Sequence, residues 1–347
     1  MKHLIYGLLL IIFTPTLMAK SNNLNIYLWE DTMSLRVIAD WEAQSQDDIH
    51  LFHFDNDDER SLLMLKSVQL PFDIIVLDNV SANIFSRQNT FEDLSDLPNR
   101  KYLDPYWNKI CGNNAVPYFW GSVGIVYRKS QFDHPPTKWS DIVLPEEKYK
   151  GHIGFIEDSI DTLLPILSTQ NQSPITDDLT QLKNAYQVMA NLNQHILTYE
   201  YSLSYVRSRN NSNELYMALG YSGDQYSLNR YFHNDEWSFV TPEGRPYLWV
   251  DCMAINSNSD NKQQAKAFLN YLMQPEVAAK NAIDIGGATT NKAALQLLPD
   301  NYKNDPSIFV SEERLADAIL DQELTPDNLN VRAKIINSLY NQHEAKP

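Results

Sequence analysis

The feature that most constrains this chain is the alternation of strand-like and helix-like segments between residues 24 and 77. Residues 24–29 read as a strand. Residues 34–43 then place Leu35, Ile38 and Trp41 at helical spacing. Residues 49–54 alternate again, and residues 58–70 carry Leu62, Leu65 and Val68 on one helical face. An apolar run at 72–77 follows Pro71 as a buried strand. Consecutive strands separated by helices pair in parallel, because each helix must cross over the sheet to return the chain to the same end. Such sheets carry ligands beyond the carboxyl ends of their strands. Trp29, Glu30 and Asp31 fall at one such end, and Asp78 with Asn79 at another.

The rest of the chain repeats the pattern after an interruption. A loop-rich stretch holds Pro98, Pro105 and Gly112, a long strand runs over 116–127, and Pro135, Pro136 and Pro145 mark the start of a second lobe. That lobe has strands at 151–156, 196–199 and 216–221, with helices at 162–168, 177–189 and 202–207. A strong strand follows at 247–256, then helices at 262–273, 275–282 and 328–343. A chain of 347 residues is long for one core and suits two lobes of roughly 100–200 residues. We expect an α/β protein with residues 20–126 and 253–347 in the first lobe and 127–252 in the second. Strands near 120–127 and 250–255 would form the hinge over a central cleft.

The first residues predict export. Lys2 and His3 precede an apolar run at 4–13, and residues 14–19 end in Ala19, the layout of a cleaved signal peptide over residues 1–19. A short membrane anchor is the alternative, but the run falls well below the ~20 residues that span a bilayer. The formal net charge of −16 argues against nucleic acid, whose phosphates it would repel, and steers cations inward. Many exported proteins are acidic for solubility alone, so charge by itself decides little. Cys111 and Cys252 are the only cysteines and lie in no C-x-x-C pattern. They form either one disulfide, in an oxidising compartment, or two buried thiols.

Aromatic and acidic residues recur together at the expected strand ends and loops: Trp29 with Glu30 and Asp31, Asp78, Glu157 and Asp158 with Asp161, Tyr221 with Asp224, and Trp249 with Asp251. An ammonium group leaves water at little loss only if it is paired and hydrogen-bonded. Carboxylates provide the pairing, aromatic faces add about 0.5–2 kcal/mol each, and methylene stems pack on the same rings. The set therefore fits a linear polyamine. Taken singly, each residue has a plainer reading: the tryptophans as core, Asp158 and Asp161 as helix caps.

Catalytic and metal patterns fail. Gly220-Tyr221-Ser222-Gly223-Asp224 has Asp224 where a nucleophile elbow needs glycine. His50 and His53 point to opposite faces of a strand, and Asp55-Asn56-Asp57-Asp58-Glu59 continues with Arg60 where a calcium loop needs glycine. No enzyme, metal or cofactor is expected.

Several stretches resemble the periplasmic spermidine/putrescine-binding proteins of polyamine transporters, over essentially the whole exported length. They are Leu24-Asn25-Ile26-Tyr27-Leu28-Trp29, Phe72-Asp73-Ile74-Ile75-Val76, Pro117-Tyr118-Phe119-Trp120-Gly121, Tyr221-Ser222-Gly223, Leu248-Trp249-Val250-Asp251 and the segment from Tyr271 to Ala278. The resemblance implies a type II periplasmic binding fold, two α/β lobes that close by a hinge on a ligand. It makes Trp29 an aromatic platform, with Glu30 and Asp31 as polar contacts. Asp158 and Asp161 become ligands of one amine end, Trp249 a stacking ring and Asp251 the partner of an inner amine. Tyr221 stands where the family usually has Trp, and Asp78 where it often has Ser. Thr32, Val80 and Gly287 stand where it tends to have Tyr, so the pocket should differ in width. Trp29-Glu30-Asp31-Thr32, the run from Phe54 to Arg60, Glu243-Gly244-Arg245-Pro246 and the run from Arg332 to Leu339 are similar to a narrower, norspermidine-sensing subgroup. That likeness implies a monomer whose partner is a membrane-bound sensor enzyme with cyclic-di-GMP domains. The transport alternative has an ABC permease as partner.

Overall fold

The computed structural model describes residues 23–54, 57–66, 70–209 and 213–345. The expected export segment at 1–19 lies outside them, as do Asp55, Asn56 and the side chains of 57–59. Strands β1 (Asn23–Trp29), β2 (Asp48–Phe54) and β3 (Ile74–Asp78) pair in parallel in the order β2-β1-β3. The crossover helices are Leu35–Ser45 and Asp57–Lys66. Leu24, Ile26 and Leu28 turn one face of β1 into the core against Val37, Ile38 and Trp41, which is the period-two strand meeting the period-3.6 helix. Ser34 caps the first helix by accepting from the Val37 amide.

Strand β4 (Ala115–Arg128) is buried along all its length, because it belongs to both lobes. Its first half pairs antiparallel with a strand from later in the chain, β9 (Tyr247–Ile255). Its second half pairs with β7 (Met217–Tyr221) and β8 (Trp237–Val240). The second lobe is completed by β5 (Ile153–Gly154) and β6 (Ile196–Thr198), parallel to each other and to β7. Strand β9 continues into the first lobe, where it pairs antiparallel with β3. Two-residue strands β10 (Ala288–Thr289) and β11 (Ile319–Leu320) add to β4 and β9. The two long strands cross between lobes near the positions the sequence predicts.

One boundary needs correction. The last helix, Pro326–Glu344, was expected with the first lobe but packs in the second-lobe core through Ile335, Ile336 and Leu339. It lies against the helix Leu179–Asn193, where Asn193 Nδ2 donates to the Leu339 carbonyl at 2.9 Å. Fully buried Arg332 anchors it by donating to Asn328 and to the Pro174 carbonyl, both at 2.7 Å. The helix's apolar face is satisfied only there, so the chain crosses between lobes a third time before residue 326. Additions to the sequence reading include helices Asn79–Arg87, Pro105–Cys111 and Asp224–Phe232, and strand β8. Cys111 and Cys252 form the disulfide that the sequence left open, joining the end of helix Pro105–Cys111 to β9 with Cα atoms 5.7 Å apart.

Candidate ligand-binding site

The crossing strands set the floor of a cleft that opens to solvent at its mouth. All nine residues singled out from sequence line it: Trp29, Glu30, Asp31, Asp78, Asp158, Asp161, Tyr221, Trp249 and Asp251. Strand ends and register bring them together. Trp29 ends β1 and Asp78 ends β3, while antiparallel pairing of β3 with β9 sets Asp78 directly opposite Asp251. Tyr221 ends β7, and Trp249 lies on β9.

Four rings form a box. Trp29 stands 6.5 Å from Tyr221 and 6.3 Å from Tyr201, and Tyr221 meets Trp249 edge-on at 6.3 Å. Trp29 belongs to the first lobe, Tyr201 and Tyr221 to the second, and Trp249 to the crossing strand. Trp249 lies over Gly121, where an added Cβ would stand 2.6 Å from the indole, so only glycine lets the ring rest against β4. Its indole N–H donates to the Ser122 carbonyl at 3.3 Å.

The carboxylates divide into two groups. At the mouth, Glu30 pairs with Arg207 and Asp31 with Arg230, the latter at 2.7 Å. Each pair joins the β1 end to a second-lobe helix. Arg230 also donates to the Asp284 and Ile285 carbonyls at 3.2 and 3.0 Å. Glu30 and Asp31 therefore line the cleft but hold the two lobes to each other.

The deep carboxylates behave differently. Burial pushes Asp251 up to about 7; the field of Arg60 opposes this and that of Asp78 adds to it. Burial likewise pushes Asp321 up to about 7, with Asp78 next in effect. Asp158 is raised by burial against the amides of Asp161 and Ile160, which donate to its Oδ1 at 2.7 Å. Asp158 thus closes the turn at 159–163 and does not cap the helix that begins at Leu164, the role sequence allowed for it, and the group lines the cleft as well. Asp161 accepts from the Tyr221 hydroxyl at 2.6 Å. Asp78 alone is lowered: burial works to raise it, but Arg60 and Ser81 outweigh that. Its Oδ2 accepts from Arg60 at 2.6 Å and its Oδ1 from the Ser81 amide at 2.7 Å, capping helix Asn79–Arg87.

Sequence reasoning missed Tyr201, Tyr247 and Asp321 as lining residues; Asp224, paired in sequence with Tyr221, lines the cleft, and Glu157 does not. Asp224 accepts from the Tyr201 hydroxyl at 2.5 Å and the Tyr221 amide at 2.8 Å, and burial pushes it up to about 7. Asp321 accepts from the Tyr247 hydroxyl at 2.8 Å. Sequence pairs Asp224 with Tyr221 at a strand end, whereas Asp321 sits on a C-terminal strap with no periodic pattern. Of the three positions expected to change the width, Thr32 and Gly287 line the cleft and Val80 does not.

Among the described residues, eight carboxylates and no Lys, Arg or His line this cleft. Such a lining, with tilted and edge-on aromatic rings beside the carboxylates, is chemically suited to a cation with apolar stems. No group of three or more His, Cys, Asp or Glu among the described residues is disposed to hold a metal.

Two lobes around a cleft define a substrate-binding protein. The profile of the bacterial extracellular solute-binding protein family matches residues 57–310, and the chain belongs to that family. It is 57% identical over 339 residues to the norspermidine sensor of Vibrio cholerae, covering 98% of this chain and 94% of that one. It is 28% identical over 334 residues to the putrescine-binding periplasmic protein PotF of Escherichia coli, covering 88% of each. A putative spermidine/putrescine ABC transporter protein from Listeria monocytogenes shares the fold, with a TM-score of 0.79 at 24% identity over 92% of this chain and 99% of that one. The fold is thus the expected type II periplasmic binding arrangement, and the chain is a binding protein, not an enzyme.

Proposed function

We propose that this chain is a periplasmic polyamine-binding protein that takes norspermidine or spermidine between its lobes. One observation carries the reading: four aromatic rings and eight carboxylates converge on a cleft with no basic residue among the described residues that line it. Asp158, Asp161 and Asp321 receive one terminal ammonium, Asp251 the inner amine, and the Trp29–Tyr201–Tyr221–Trp249 box the methylene stems. Ligand bridging both lobes favours the closed state, and a partner that distinguishes closed from open reads the difference.

For the output we propose signalling to a membrane cyclic-di-GMP enzyme that controls biofilm formation. Support comes from the high identity to the norspermidine sensor. Delivery to an ABC permease is the second reading, favoured by the putrescine-binding relatives at 27–28% identity. Calorimetry with linear di- and triamines tests the ligand, and no heat and no change in Tm with any of them would sink it. At about 100 times Kd a ligand should add roughly 2.7 kcal/mol of stability. Deleting the gene tests the output: loss of the cellular cyclic-di-GMP response to added norspermidine supports signalling, whereas loss of labelled polyamine uptake alone supports transport.

A further inference from the structure

Arg60 is a buried cation in contact with one of the deep carboxylates, yet it does not line the cleft. It lies on helix Asp57–Lys66 with its side chain 0% exposed, directly behind Asp78. Its Nη2 donates to Asp78 Oδ2 at 2.6 Å and to Ser81 Oγ at 3.2 Å, and its guanidinium lies 5.2 Å over the Phe54 ring. Asp78 in turn faces the cleft and stands opposite Asp251 across the β3–β9 ladder. A guanidinium cannot lose its proton at physiological pH. A ligand therefore meets at Asp78 a carboxylate already paired with a fixed cation, while among the described residues no Lys, Arg or His forms an ion pair with Asp158, Asp251 or Asp321.

We propose that Arg60 is a specificity-determining residue: its buried charge cancels one carboxylate of the deep cleft, so the site selects a polyamine with one ammonium fewer than its acidic lining would otherwise hold. The inference rests on the polyamine reading. Its physical basis is that charges a few ångströms apart behind a dry wall interact far more strongly than in water. Arg60 touches no ligand in this account. It acts through Asp78, and discriminates most strongly against ligands that bring the most charge to that wall.

Affinity ratios across a matched series of linear di-, tri- and tetra-amines test this, because a purely structural role for Arg60 would weaken all three alike. Calorimetry at one pH should show Arg60→Met shifting the tetra-amine to triamine ratio toward the tetra-amine by about tenfold or more. Asp78→Asn, which keeps a competent helix cap, should shift the ratio the other way. The double variant, with both charges removed, should return to within about threefold of the parent. Should Arg60→Met fail to fold, the comparison of Asp78→Asn with the double variant decides, since recovery of the ratio is required. Folded variants that bind amines with unchanged ratios overturn the role of Arg60 and leave the polyamine reading standing. A parent protein that binds none of the series overturns both.

Discussion

The two ends of the cleft are both acidic in sequence and opposite in physical state. At the mouth, Glu30 and Asp31 are partly exposed and each meets an arginine from the other lobe. In the depth, Asp251 is buried and Asp158 and Asp321 are half-buried, and loss of hydration raises all three. Exposed ion pairs gain little over hydration and weaken with salt. Buried carboxylates that lack a resident partner resist ionisation until a cation arrives. The mouth is therefore suited to holding closure and the depth to recognising charge.

Asp251→Asn should have the largest effect. It removes the carboxylate set between Trp249 and Asp78, and polyamine Kd should rise by about 100-fold or more, in line with the loss of one partner from a buried charge pair. The unliganded protein should keep its Tm or gain slightly, since it no longer buries an acid. An unchanged Kd would break the distinction between the two ends. Next in size is Trp249→Ala, which deletes one wall of the box and should weaken binding by about 10- to 100-fold, consistent with an aromatic contact plus its buried area. Near-ultraviolet dichroism of the bound form checks that the box is what was lost.

The pH dependence has a definite sign. Asp224, Asp251 and Asp321 are raised to about 7 in the folded chain, from the usual carboxylate range when unfolded. Between roughly pH 4 and 7 the folded state then binds more protons than the unfolded state, so stability without ligand falls as pH rises through that window. A polycation favours the ionised forms, so polyamine Kd should tighten by about tenfold from pH 5.5 to 8, with protons released on binding. Calorimetry in buffers of different ionisation enthalpy counts those protons, and a count of zero would refute the protonated depth.

The mouth should give the smallest effects. Arg230→Ala removes a pair that is about a third exposed, and after screening an exposed pair is worth about 0.2–1 kcal/mol. Kd should rise only about two- to fivefold, and the dissociation rate should increase with it. Loss as large as that from Asp251→Asn would make the mouth a recognition site in its own right.

Much of this was legible in the sequence because its cause is local. Period-two Leu24, Ile26 and Leu28 beside helically spaced Ile38 and Trp41 already specify a parallel sheet, and strand-end position already nominates Trp29 and Asp78. The last helix was misplaced because Val331, Ile335, Ile336 and Leu339 reveal that a face is buried but not against which core. Asp321 was invisible because nothing near it in the chain announces that β11 will lie beside β9.

Sequence by itself determined the two-lobed α/β class, the carboxylates and rings available to a ligand, and the excess of negative charge. Those follow from side-chain periodicity and chemistry, which neighbouring residues express without help. Only the tertiary structure decided which carboxylates are already paired. Arg60 reaches Asp78 and Arg230 reaches Asp31 through the folded backbone, across 18 and 199 positions. Whether an acid clasps a lobe or awaits a cation depends on burial and on those distant partners, and a linear pattern records neither.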